Sequence, residues 1–159
     1  MVRVKNGKLV ASNISFALPE DFYLTLQPTG CGVHLLEFKS DKRVVKGGII
    51  YIDIEFENAE LTAKEAMEEF AGDCDLHIKG DFKPITRGKG TALSVHYYGG
   101  AYSDMYEERY DFPRNKLNQN QVSVSVQLMA NRKGSFSKTI FEVLEIPNVK
   151  EFLDSIEYF

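Results

Sequence analysis

Two stretches of the chain alternate with period two, and that alternation limits the fold more than any other feature. In "GGIIYIDIEFE", Ile50, Ile52, Ile54 and Phe56 fall on one side, and Tyr51, Asp53, Glu55 and Glu57 on the other. In "QVSVSVQLMA", Val122, Val124, Val126 and Leu128 oppose Ser123, Ser125 and Gln127. Successive side chains of a strand point to opposite faces, so each segment reads as a strand with one buried and one wetter face. Such faces belong to antiparallel sheets.

Other segments extend that sheet. Asn6-Gly7 joins two extended runs in "VRVKNGKLVAS", and both residues tolerate positive φ, which is a hairpin signal. "NISFALP" stops at Pro19, and "FYLTLQP" at Pro28. "GVHLLEFKS" leads through a charged turn into the first alternating strand. "TALSVHYY" and "DMYEERYDF" flank the turn "GGAYS".

Three segments read as helices. "LTAKEAMEEFAG" has Thr62 and Glu65 as a capping box, an apolar stripe of Ala66, Met67 and Phe70, and Gly72 as its C′ residue. "SKTIFEVLEI" starts from Ser137 and is interrupted by Pro147. "NVKEFLDSIEYF" has Asn148 and Glu151 as a capping pair, with Val149, Phe152, Leu153 and Ile156 on one face. The expected fold class is α+β: an antiparallel-rich central sheet flanked by helices, in one domain over residues 1–159.

A chain of 159 residues can bury a real core without staples. A net charge of −4 gives no electrostatic reason to expect nucleic acid or an anionic membrane. No apolar run reaches the roughly 18 residues that span a bilayer. The start "MVRVKNGKLV" has no apolar region followed by a cleavage pattern, so a cytosolic location and reduced thiols are expected.

The order of elements, "ISFALPEDF" near the start and "FLDSIEYF" at the end resemble the PsbP-like superfamily. That group takes in the photosystem II extrinsic subunit, the Ran-binding Mog protein and DcrB-type bacterial proteins. The resemblance implies a three-layer α/β/α sandwich and a non-catalytic accessory or binding role. It brings no shared catalytic motif to place on residues here.

Five tyrosines lie within fourteen residues around a Gly-Gly turn. Of these, Tyr97, Tyr98, Tyr102 and Tyr106, with Gly99 and Gly100, form the candidate partner-binding surface; Tyr110 follows. Tyrosine gives large contact area at low entropic cost. Cys31 with His34, and Cys74 with His77, form two Cys-x-x-His pairs, a candidate Cys₂His₂ zinc set. Small buried thiols and ordinary strand histidines account for the same residues, and no metal or cofactor is required.

Asp53, Glu55 and Glu57 stand about 6.7 Å apart along a strand, wide for a single divalent ion. Lys42, Arg43 and Lys46, then Lys79, Lys83, Arg87 and Lys89, then Arg132, Lys133 and Lys138 form basic turns without interleaved stacking aromatics. His96 shares a strand face with Ser94 and Tyr98, but no partner marks it as a base. No nucleophile elbow, phosphate loop or dinucleotide fingerprint occurs. The expectation is therefore a non-enzymatic bacterial module that binds a protein partner. A small-ligand carrier or sensor and a zinc-stabilised domain are the alternatives. An open sheet edge would also let two copies pair.

Overall fold

The computed structural model describes residues 2–19, 22–23, 27–28, 33–34, 37–40, 45–55, 61–99, 103–112, 123–130 and 139–159. Asn6 and Gly7 both have positive φ, 53° and 75°, and close a two-residue turn between β1 (Val2–Lys5) and β2 (Lys8–Ala11). β3 (Ile14–Phe16) returns antiparallel along β2. Four short strands follow: β4 (Phe22–Tyr23), β5 (Gln27–Pro28), β6 (Val33–His34) and β7 (Glu37–Ser40). The long strands are β8 (Val45–Glu55), β9 (His77–Arg87), β10 (Gly90–Gly99), β11 (Ser103–Tyr110) and β12 (Ser123–Ala130). A two-residue strand, β13 (Glu157–Tyr158), ends the set.

The strands form a seven-stranded sheet in the order β4-β7-β8-β12-β11-β10-β9, a four-stranded sheet in the order β1-β2-β3-β13, and the β5–β6 pair. Every ladder is antiparallel. A single parallel bridge, Gly88 to Tyr158, stands outside the ladders among the described residues.

The alternation of β8 and β12 sets the core. Ile50, Ile52 and Ile54 lie opposite Leu128, Val126 and Val124 in register, and all six are buried. This face packs on β2 and β3 through Ala11, Ile14 and Phe16, and on α2 (Ile140–Leu144) and α3 (Pro147–Ser155). Phe152 of α3 meets Phe16 edge-on at 5.6 Å and Phe22 at 5.9 Å. Such contacts add about 0.5–1.5 kcal/mol each beyond the buried area. The opposite face of the seven-stranded sheet carries α1 (Ala63–Asp73), whose Met67 and Ala71 pack on Val95, Tyr97 and Met105.

Local signals place most helix ends. Thr62 Oγ1 accepts from the Glu65 amide, as the capping box requires. Gly72, expected just past α1, lies in its last turn; Asp75 takes the left-handed position beyond the helix, at φ 54°. α2 is capped by Thr139, whose box partner is Glu142; Ser137 lies outside the described residues. α3 starts on Pro147 without a side-chain cap, so Asn148 and Glu151 are not a capping pair. Proline suits the first helical position because its missing N–H has no partner there.

Two expectations fail more broadly. The terminal helix stops at Ser155, and Glu157 and Tyr158 pair with Ser15 and Ile14 as a strand. The supposed basic turn at Lys79, Lys83 and Arg87 is β9, an edge strand of 11 residues. Gly80 and Pro84 hid it in the sequence. Both interrupt strand patterning, and both are tolerated at an edge. The chain is mostly sheet, with helices of 11, 5 and 9 residues. One flanking layer of the expected α/β/α arrangement is shared by α2, α3 and the four-stranded sheet. None of the described helices is long and apolar enough to cross a membrane.

The turn between β9 and β10 is pressed against β13. A Cβ on Gly90 would stand 2.6 Å from Tyr158 Cβ and 2.9 Å from its carbonyl oxygen. Gly90→Ala is expected to lower stability by about 1–3 kcal/mol in urea denaturation. Gly72→Ala meets nothing within 4 Å and should raise it, by at most about 1 kcal/mol.

Candidate functional site

Strand β11 reads "SDMYEERY", so Met105, Glu107 and Arg109 face one way and Tyr106, Glu108 and Tyr110 the other. Glu107 and Glu108 are both fully buried, back to back across the sheet. A buried carboxylate is very costly unless hydrogen bonds and a countercharge replace its water.

Both carboxylates are supplied in full. Arg87 reaches Glu108 through two bonds: Nε to Oε1 at 2.7 Å and Nη2 to Oε2 at 2.8 Å. Tyr106 donates to Glu108 at 2.6 Å, and Tyr158 at 3.3 Å. Arg87 Nη1 also donates to the Leu153 carbonyl at 2.6 Å, at the end of α3. On the other face Glu107 accepts from Tyr97 at 2.7 Å, Arg109 at 3.1 Å and Gln127 at 3.0 Å, and from the Ser125 hydroxyl. The face of β12 expected to be wet is thus a buried polar seam: Ser125 is 2% exposed and Gln127 8%.

Burial first, and then the adjacent carboxylates, push the Tyr97, Tyr106 and Tyr158 hydroxyls well above the usual phenol range. These tyrosines are held neutral, as donors. The hydrogen bonds that Glu107 and Glu108 accept come from the protein's own side chains. His96 is held neutral by burial above all, with Lys83 and Lys79 adding to the shift against Asp104. Its ring stacks on Phe141 at 4.9 Å.

The proposed tyrosine surface divides. Tyr97 and Tyr106 are interior, at 1% and 7% exposure, because their hydroxyls are drawn onto Glu107 and Glu108. They are not contact residues. Tyr98 is exposed and tilted over His77 at 5.1 Å. Gly99 turns with φ 86° beside the His77 ring. Gly100 and Tyr102 lie outside the described residues.

Of the candidate zinc set, Cys31 lies outside the described residues, and His34 is placed in β6 by its backbone. Cys74 caps the end of α1 and His77 opens β9. Burial, then Asp73 and Asp75, raise the Cys74 thiol above its ordinary value.

The exposed chemistry that the sequence did not show is a cleft of about 560 Å³ on the outer face of the four-stranded sheet. Its register places Arg3 beside Val10, Val10 beside Ser15, and Ser15 beside Glu157, with Lys5 beside Lys8 in the next row. Gly88 and Lys89 form its wall. Among the described residues, four cationic side chains and one acidic side chain line it, in a chain of net charge −4. Lys8 is committed, 3.3 Å from Glu157 and donating to the Ser155 carbonyl at 3.0 Å. Arg3, Lys5 and Lys89 are exposed and have no ion pair among the described residues.

No protein-family model matches the sequence, and no curated protein does. The fold is similar to the solution structure of cyanobacterial PsbP (CyanoP) from Synechocystis sp. PCC 6803. The TM-score is 0.56 at 8% identity, over 92% of this chain and 87% of that one. A crystal structure from Bacteroides thetaiotaomicron VPI-5482 aligns at TM-score 0.42 and 11% identity; the match covers 92% of this chain and 45% of that one. The chain therefore has a PsbP-like fold.

Arg87→Met would strand Glu108 without its countercharge. It is expected to cost about 3–5 kcal/mol in chemical denaturation, with partial recovery in Arg87→Met/Glu108→Gln. The raised tyrosine hydroxyls add stability that is complete below pH about 10, where an unfolded tyrosine ionises, and is lost as pH rises above it. In an ultraviolet titration, Tyr97, Tyr106 and Tyr158 should ionise only as circular dichroism is lost. Ionisation of all 8 tyrosines before unfolding would contradict this.

Proposed function

We propose that this chain is a non-catalytic accessory module that docks an acidic protein partner through the cleft lined by Arg3, Lys5 and Lys89. In this reading the PsbP-like scaffold is a three-layer α/β/α sandwich: α1 is one outer layer, and α2 and α3, joined by the four-stranded sheet, are the other. The observation that carries the proposal is the distribution of charge. The buried carboxylates are occupied by the scaffold's own donors, while three exposed cations gather on one concave face of an acidic protein. Local positive potential on such a background steers anionic surfaces to that face. The PsbP-like fold supports an accessory role by analogy of architecture alone.

The test is capture of proteins from a native lysate by the wild type and by Arg3→Glu/Lys5→Glu/Lys89→Glu. The substituted side chains are exposed, so stability should change by no more than about 0.5 kcal/mol. Capture of acidic proteins should fall about tenfold, and wild-type capture should fall with added salt. Equal capture by both forms would refute the docking face. Native mass spectrometry that finds a retained organic anion, lost in the triple variant, would replace the protein partner with a small-ligand carrier.

A further inference from the structure

The two longest edge strands, β9 and β1, differ. Edge strand β9 is guarded: Gly80 turns at φ 78°, Pro84 removes a donor, and the β9–β10 register shifts between Ser94 and His96. Edge strand β1 pairs with β2 in unbroken register, from Val2 with Ala11 to Lys5 with Lys8. Among the described residues no strand covers its outer side. A two-residue turn closes on a hydrogen-bonded pair, here Lys5 with Lys8, and such pairs alternate along an antiparallel ladder. The backbone groups of Arg3 and Lys5 therefore turn inward to β2. The N–H and C=O of Val4 turn outward, and Val4 is 71% exposed.

We propose that β1 receives an extended acidic segment of the partner as an added strand. This rests on the docking reading above and gives it a geometry. An added strand runs about 4.8 Å from β1, and its side chains repeat on one face every 6.6–6.8 Å, about the spacing of Arg3 and Lys5. Carboxylates at alternate positions then meet both cations on the cleft face, and the residues between them lie against Val4 on the other. A second copy of this chain is disfavoured on the same edge. Antiparallel self-pairing centred on Val4 would set Arg3 against Lys5 in both directions, and like charges directly opposite repel.

The experiment is fluorescence anisotropy of a labelled, end-capped peptide of alternating glutamate and valine, with the full chain. Arg3→Glu/Lys5→Glu should weaken binding about tenfold, since each exposed charge pair is worth up to about fivefold. Val4→Pro removes an N–H that β2 does not use and leaves every charge in place; it too should weaken binding about tenfold. As a check independent of any variant's folding, the same peptide N-methylated at alternate residues, in either register, should bind the wild type about tenfold more weakly. If charge reversal abolishes binding while Val4→Pro and N-methylation leave it intact, strand addition is wrong and the anionic docking face survives. If no form binds the peptide, strand addition is also wrong, and the lysate comparison judges the docking face separately. Concentration-dependent dimerisation lost in Val4→Pro would assign the edge to a second copy and overturn the proposal.

Discussion

The structure depends on two carboxylates set back to back in the middle of the sheet. Glu107 and Glu108 are adjacent on β11, so the pleat sends them to opposite faces, and both are fully buried. Each must be met by donors from other elements. Glu108 holds Arg87 at the end of β9, Tyr106 on its own strand and Tyr158 on β13; through Arg87 it also holds the last turn of α3. Glu107 holds Tyr97 on β10 and Ser125 and Gln127 on β12. The two residues therefore tie together strands whose register the buried apolar face also specifies.

This explains why the tyrosine-rich segment is largely interior. Tyrosine offers an apolar ring to the core and a hydroxyl to a buried acceptor. Tyr97, Tyr106 and Tyr158 use both. Tyr98, on the alternate face of β10 from Tyr97, remains outside with His77. Both faces of the segment build core, Tyr97 on one and Tyr106 on the other, and Tyr98 near the end of β10 meets solvent.

The same network builds the cleft. Arg87, anchored on Glu108, brings the following turn over β13, where Gly88 and Gly90 leave no room for a side chain. Lys89 is thereby carried to the rim opposite Arg3 and Lys5. Of the accessible cations, Lys89 is positioned by a largely buried pair, Arg87 with Glu108. Stability and the placement of Lys89 are linked at Arg87, although it lines no part of the cleft.

The sequence by itself determined the strands of the core, the Asn6-Gly7 hairpin and the Thr62 cap. Each rests on residues close in the chain: a two-residue period, a turn and a box. The resemblance to PsbP-like proteins was legible at the same level, through the order of elements. Only the tertiary structure decided what faced each side. The polar face of β12 reads as wet because serine and glutamine carry no record of a carboxylate on the neighbouring strand. β9 was hidden because glycine and proline erase strand periodicity at an edge, where they do least harm. The end of the chain read as helix because Ile156 continues the apolar spacing, yet beyond the helix β3 offered Tyr158 a ladder and Glu108 of β11 offered it a buried acceptor. The cleft draws on residues 3 to 15, 88 to 89 and 157 to 159. No local pattern joins segments so far apart, because a local signal names the face a residue takes, and only packing sets what lies opposite it.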